Sequence, residues 1–96
     1  MPILTGLNWD ERTAFEVENK GWYEEVRLKM DDGRLIQLSI WDPIRLNQEV
    51  EAEFERGKSF IAEKYLIILP TITEAAIRQT VDQLVRTAFF APIAYL

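Results

Sequence analysis

"RLKMDDGRLIQLSIWDP", residues 27–43, decides the fold. The Asp31-Asp32-Gly33 cluster has to reverse the chain, and the manner of reversal fixes which side chains face inward on both flanking segments. A two-residue loop at Asp32-Gly33 would set Leu28 opposite Gln37 and mix apolar with polar. A three-residue loop, a type I turn with glycine in the left-handed bulge position, closes on Met30 and Arg34 instead. Leu28 then faces Ile36 and Val26 faces Leu38. Because register follows the buried face, the three-residue loop is preferred. One mismatch remains, Glu24 opposite Ile40. On the other face this register sets Tyr23 opposite Trp41 and Arg27 opposite Gln37.

Working outward, "WYEEVRLKM" (22–30) and "RLIQLSIW" (34–41) alternate with period two, the signature of strands that lie with one face on a core. "TAFEVE" (13–18) alternates as well and is expected as a preceding strand, joined through a two-residue loop in "ENKGW". After Trp41 the pattern changes. Asp42 can accept hydrogen bonds from the first free amides of a helix, and proline at the first helical position loses no useful N–H. Pro43, Leu46, Val50 and Phe54 fall on one stripe, and Gly57 suits the position after the helix. "EVEAEFE" (49–55) also fits a strand, but the cap, the proline and the need to cross back over the sheet favour helix.

"YLIIL" (65–69) reads as a strand covered on both sides or held in mid-sheet, parallel to the third because a helical crossover precedes it. A second helix follows. Thr71 and Glu74 have capping-box spacing, and Ile77, Val81, Leu84, Val85 and Ala88 form its apolar face. Asp82, Gln83, Arg78 and Arg86 point outward, and Pro92 stops the helix. The predicted class is two-layer α+β in a single domain, 1–96. It comprises an antiparallel three-stranded meander plus a fourth strand after a helical crossover, a mixed sheet with two helices on one face.

Composition narrows the chemistry. The 96 residues contain no cysteine and no histidine, so disulfides, thiolate nucleophiles, the usual general base and the commonest transition-metal ligands are missing. No enzyme activity, metal or cofactor is therefore expected. Asp31-Asp32 lacks the spaced oxygens of a calcium loop and reads as turn chemistry. The four glycines are isolated, which rules out a phosphate-cradling loop. Eleven basic against sixteen acidic residues give a net charge of −5, without the basic cluster that nucleic acid binding needs. The longest apolar run, "YLIIL", is far short of a membrane span, and the N-terminus lacks the form of a signal peptide; a cytoplasmic protein is expected.

Helices on one face leave the other sheet face open, and there the register places Tyr23, Leu35 and Trp41 with Arg27 nearby, residue types that dominate binding hot spots. The N-terminal "ILTGLNW" and the apolar tail Phe89–Leu96 are competing covers for that face, the tail packing at home or on a second copy. Glu49, Glu51, Glu53 and Glu55 spread around the first helix and offer a negative field to a basic partner. The function expected is a non-catalytic interaction module, an adaptor, inhibitor or immunity-type binder, whose partner is a protein, basic, or a second copy. Alternatives are a homodimeric small-ligand-binding protein with weak carboxylate chemistry, and a structural subunit of a larger assembly.

Overall fold

The computed structural model describes residues 2–91. The chain runs β1 (Ile3–Thr5), α1 (Glu11–Lys20), β2 (Trp22–Tyr23), β3 (Arg27–Lys29), β4 (Leu35–Gln37), β5 (Ser39–Trp41), α2 (Pro43–Glu55), β6 (Leu66–Ile68) and α3 (Glu74–Arg86). The fold is a small α+β arrangement. Its strands form an antiparallel sheet β1-β3-β4 and a mixed sheet β2-β5-β6.

The turn closes as the apolar pattern demands. Met30 N–H donates to Arg34 O at 2.9 Å and Gly33 N–H to Met30 O at 3.1 Å, with Gly33 at φ 91°. β3 and β4 pair Leu28 with Ile36 and Arg27 with Gln37, and Val26, Leu28, Ile36 and Leu38 are buried. Leu38 N–H donates to Val26 O at 2.9 Å, which carries the same register one pair further. Beyond that point it slips. β2 and β5 pair Tyr23 with Ile40 and Trp22 with Trp41, so the first strand spends one residue more than its partner. This is a β-bulge, and it falls at the Glu24–Ile40 mismatch. Held in register, Glu24 would have faced the buried Ile40; the extra residue turns Tyr23 inward in its place.

The segment 13–18 is not a strand but the middle of α1. Asp10 caps it, accepting from Thr13 N–H at 2.7 Å, while Glu11 sits in the first turn and Lys20 in the last. Gly21 ends it at φ 78°, its N–H donating to Val17 O at 2.7 Å. As a helix the segment buries Val17 and leaves Phe15 68% exposed. Alternation suggested strand, but caps at both ends and opposite charges matching the dipole favour helix. The missing strand is supplied from further upstream. β1 pairs antiparallel with β3, Leu4 against Leu28, so the N-terminal segment becomes an edge strand rather than a cover for the sheet.

The crossover follows expectation. Asp42 accepts from Arg45 N–H at 2.7 Å, Pro43 is the first residue of α2, and β6 lies parallel to β5 with Trp41 beside Ile68. β6 is not covered on both sides: Ile67 and Leu69 are buried while Ile68 is 53% exposed. α3 starts two residues later than the capping-box spacing implied. Its cap is Thr73, whose hydroxyl accepts from Ala76 N–H at 3.1 Å. Ile77 and Val81 enter the core and Leu84 and Val85 pack against it, whereas Ala88 lies past the helix and is exposed. Phe90 is buried against Tyr65, ring centroids 5.9 Å apart, and its carbonyl accepts from Arg34 Nη2 at 2.7 Å. The start of the apolar tail thus packs at home; Pro92 and the last residues lie outside the described residues.

The two glycines differ in what surrounds them. A Cβ at Gly21 would stand 2.5 Å from Asp42 Oδ2 and 2.7 Å from Arg45 Cβ, whereas one at Gly33 would meet nothing within 4 Å. Gly33→Ala therefore carries only the left-handed backbone penalty, about 1–2 kcal/mol. Gly21→Ala adds displacement of the α2 cap. Urea melts should rank Gly21→Ala as the more destabilised of the two; equal midpoints would show that the two helix ends are not in contact.

Candidate functional site

The outer sheet face is built by register. On the first sheet Ile3, Lys29 and Leu35 form one row and Thr5, Arg27 and Gln37 the next. On the second sheet Trp22, Trp41 and Ile68 form a row across all three strands. Leu35 and Arg27 are exposed and Trp22 and Trp41 half-buried. Tyr23, predicted to lie there, is instead 5% exposed in the core. Its hydroxyl donates to Gly6 O at 3.1 Å and Trp9 meets its ring edge-on at 5.4 Å. Burial pushes its phenol up from the ordinary tyrosine value, with Glu25 adding to the effect.

The aromatic pair survives with the neighbouring ring in place of Tyr23. Trp22 and Trp41 stack with centroids 5.9 Å apart and planes 30° apart, and the Lys20 ammonium lies 5.1 Å above Trp22. Trp41 Nε1 donates to Ser39 Oγ at 2.9 Å, and that hydroxyl donates to Glu24 Oε1 at 3.2 Å. Ser39 is buried, so both ends of its hydroxyl are satisfied where water is scarce. The bulge also opens a cavity of about 310 Å³ between α1 and the strands, with Trp22, Arg27, Glu24 and Gln37 on its walls. Trp22 and Arg27 thus meet at one concavity beside the stack, while Leu35 sits apart, near the turn.

A second cavity, about 400 Å³, opens where the parallel pair ends, between α1 and the starts of α2 and α3. Trp9, Val17 and Ile72 give it apolar walls. Ligands of α/β sheets gather at such strand ends. Here, however, Asp42 and Thr73 each have an oxygen engaged in capping their own helices. Glu18 and Thr71 supply the other polar side chains of the lining.

The four glutamates of α2 do not act as one field. Glu51 and Glu55 are exposed, but Glu49 and Glu53 lie half-buried and are paired within the chain. Lys58 Nζ lies 2.8 Å from Glu53 Oε2, Arg56 bonds to Glu53, and Arg56 also reaches Glu49 at 3.6 Å. The Lys58 and Arg56 hydrogen bonds hold the Glu53 carboxyl below the ordinary glutamate value.

Of two residues that sequence reasoning missed, one had a trace in it. Trp22 was signalled by the mismatch that the bulge removes; Ile68 was not, because a continuous apolar run does not show which side chain faces outward. Among the described residues no group of three or more acidic, histidine or cysteine side chains is placed to hold a metal ion, and no helix is long and apolar enough to cross a membrane. Comparison with protein-family models, with characterised proteins and with solved structures gave no match.

Two measurements check this geometry. A stacked tryptophan pair couples excitonically, so Trp22→Ala and Trp41→Ala should each abolish the far-UV couplet and lose about 0.5–1.5 kcal/mol of stability beyond area burial. A spectrum unchanged by either variant would mean the rings do not stack. For Glu53 the sign follows from its lowered value: its clamp with Lys58 contributes fully above the ordinary glutamate range and is lost as pH falls through the depressed value. An NMR titration should place the Glu53 midpoint below that range, and Lys58→Ala should move it upward.

Proposed function

We propose that the chain is a small non-catalytic protein-interaction module, of the adaptor, inhibitor or immunity type, and that it docks a protein partner on the outer sheet face. The observation that carries this proposal is the row Trp22–Trp41–Ile68, with Arg27 at the adjoining cavity. Tryptophan and arginine are the side chains whose removal most often costs an interface more than 1 kcal/mol. The stack is also held before any partner arrives. Trp41 is tied through Ser39 to Glu24, so less side-chain entropy is lost on binding.

The absent residue types support the non-catalytic part. Without histidine or cysteine, proton transfer near neutral pH would fall to carboxylates. Charge around the aromatic row is mixed, with Lys20 and Arg27 on one side and Glu24 and Glu25 at the bulge. The basic partner suggested by the acidic helix has only Glu51 and Glu55 to meet, because Glu49 and Glu53 are occupied. A reducing, cytoplasmic setting is part of the proposal: the lack of cysteine fits it, and among the described residues no helix is long and apolar enough to cross a membrane.

The test is affinity capture from the source organism with three baits: the wild type, the Trp22→Ser/Trp41→Ser double variant, and Phe15→Ser on exposed α1 as control. Proteins held by the wild type and the control should be lost by the double variant, with urea melts showing that it remains folded. A folded double variant that holds every one of them would refute the outer-face surface.

A further inference from the structure

α2 is the least supported element of the molecule. It is thirteen residues long, none of them buried, and none packs against the core cluster. Its more covered stripe, Leu46, Glu49, Val50 and Glu53, is only half-buried. A helix this short is marginal in water on propensity alone and depends on an apolar face being packed. Among the described residues, α2 and the segment leading to β6 carry four of the nine large exposed apolar side chains: Ile44 at 73%, Phe54, Phe60 at 72% and Ile61.

The dimensions agree. The chain exposes 7131 Å², where a monomer of 11.2 kDa is expected to expose about 5,700 Å². Its radius of gyration is 14.7 Å against about 12.5 Å for a compact chain of this length, and it is only 19 Å thick across extents of 41 and 39 Å. The surplus, about 1,400 Å², exceeds the roughly 800 Å² that each partner of a standard interface buries.

We propose that α2 and the segment leading to β6 form the interface of a homodimer, in which a second copy of the chain covers the side chains Phe54, Phe60 and Ile61. The charge pattern favours a second copy over a basic protein. The two glutamates on the half-buried stripe are already paired with Arg56 and Lys58, which leaves Glu51 and Glu55 as the charged flank of an otherwise apolar patch. Homodimer interfaces are the more apolar class. Each copy still carries −5, so long-range repulsion opposes association and added salt should strengthen it. A salt-bridged basic partner would behave the opposite way.

Sedimentation equilibrium at micromolar concentration tests the proposal. The wild type should be a dimer whose association tightens with salt, and Phe54→Glu/Phe60→Glu should weaken it about tenfold or more. Trp22→Ser/Trp41→Ser should stay dimeric even if it loses captured partners, which separates this surface from the outer-face proposal. Should the glutamate variant unfold, hydrogen exchange of the wild type decides: α2 amides should lose protection on dilution while those of β3 and β4 keep it. A monomer at every salt concentration, or α2 protection independent of dilution, overturns the homodimer.

Discussion

The extra residue between Tyr23 and Arg27 is the constraint on which the rest of the molecule depends. In a sheet a shift of one residue exchanges faces, so the slip sends Tyr23 to the core and Trp22 to the surface while leaving Leu28, Ile36, Val26 and Leu38 where they were. It avoids placing a carboxylate against Ile40, and it gives Glu24 two uses instead: its carbonyl accepts from Gln37 Nε2 at 2.8 Å and its carboxylate from Ser39. An unpaired carboxylate in the core costs far more than one displaced backbone pair, so the ladder breaks at that point. The cavity beside Trp22 follows from the same break, because a bulge bends its strand away from its neighbours.

Inward-turned Tyr23 also ties down the N-terminal segment. Its hydroxyl bonds to Gly6 O and its ring meets Trp9, so the loop after β1 is held against the hairpin and α1 is launched from a fixed point. Asp10 then caps a helix whose far end, at Gly21, abuts the cap of α2 at Asp42. Asp42 N–H donates to Gly21 O at 2.9 Å, closing that contact through the backbone as well. One local slip in pairing is thus coupled to the placement of two helix ends.

How much of this was legible in the chain depends on the kind of signal. The hairpin turn, the core face of β3 and β4, the α2 cap and the parallel crossover each rested on apolar periodicity and capping chemistry agreeing. They failed to agree in "TAFEVE", where alternation pointed to strand while Asp10, Glu11, Lys20 and Gly21 pointed to helix. A cap of the same kind, Asp42, decided "EVEAEFE" correctly, because proline at position 43 reinforced it. The outer face was legible in kind, an aromatic pair near Arg27, but not in identity. Which ring turns outward depends on a register change that no local preference announces, apart from the unfavourable opposition of Glu24 and Ile40. The pairing of Glu53 was readable in its i,i+3 spacing to Arg56, but the reach of Arg56 back to Glu49 and of Lys58 past the helix end needed coordinates.

The two surfaces differ in how they are held, and this bears on what each can do. The Trp22–Trp41 row stands on strands whose opposite faces carry Ile40 and Ile67, so a partner there would meet a surface fixed by the core itself. Binding at such a site adds free energy by mass action without reshaping the chain. The α2 side is different, since its helix sends nothing into the core. A partner that covers it would supply the apolar packing that a short helix otherwise lacks. A rigid aromatic face suits discrimination between partners; a compliant apolar flank suits a permanent neighbour, because only a long-lived complex recovers the ordering entropy once rather than at every encounter.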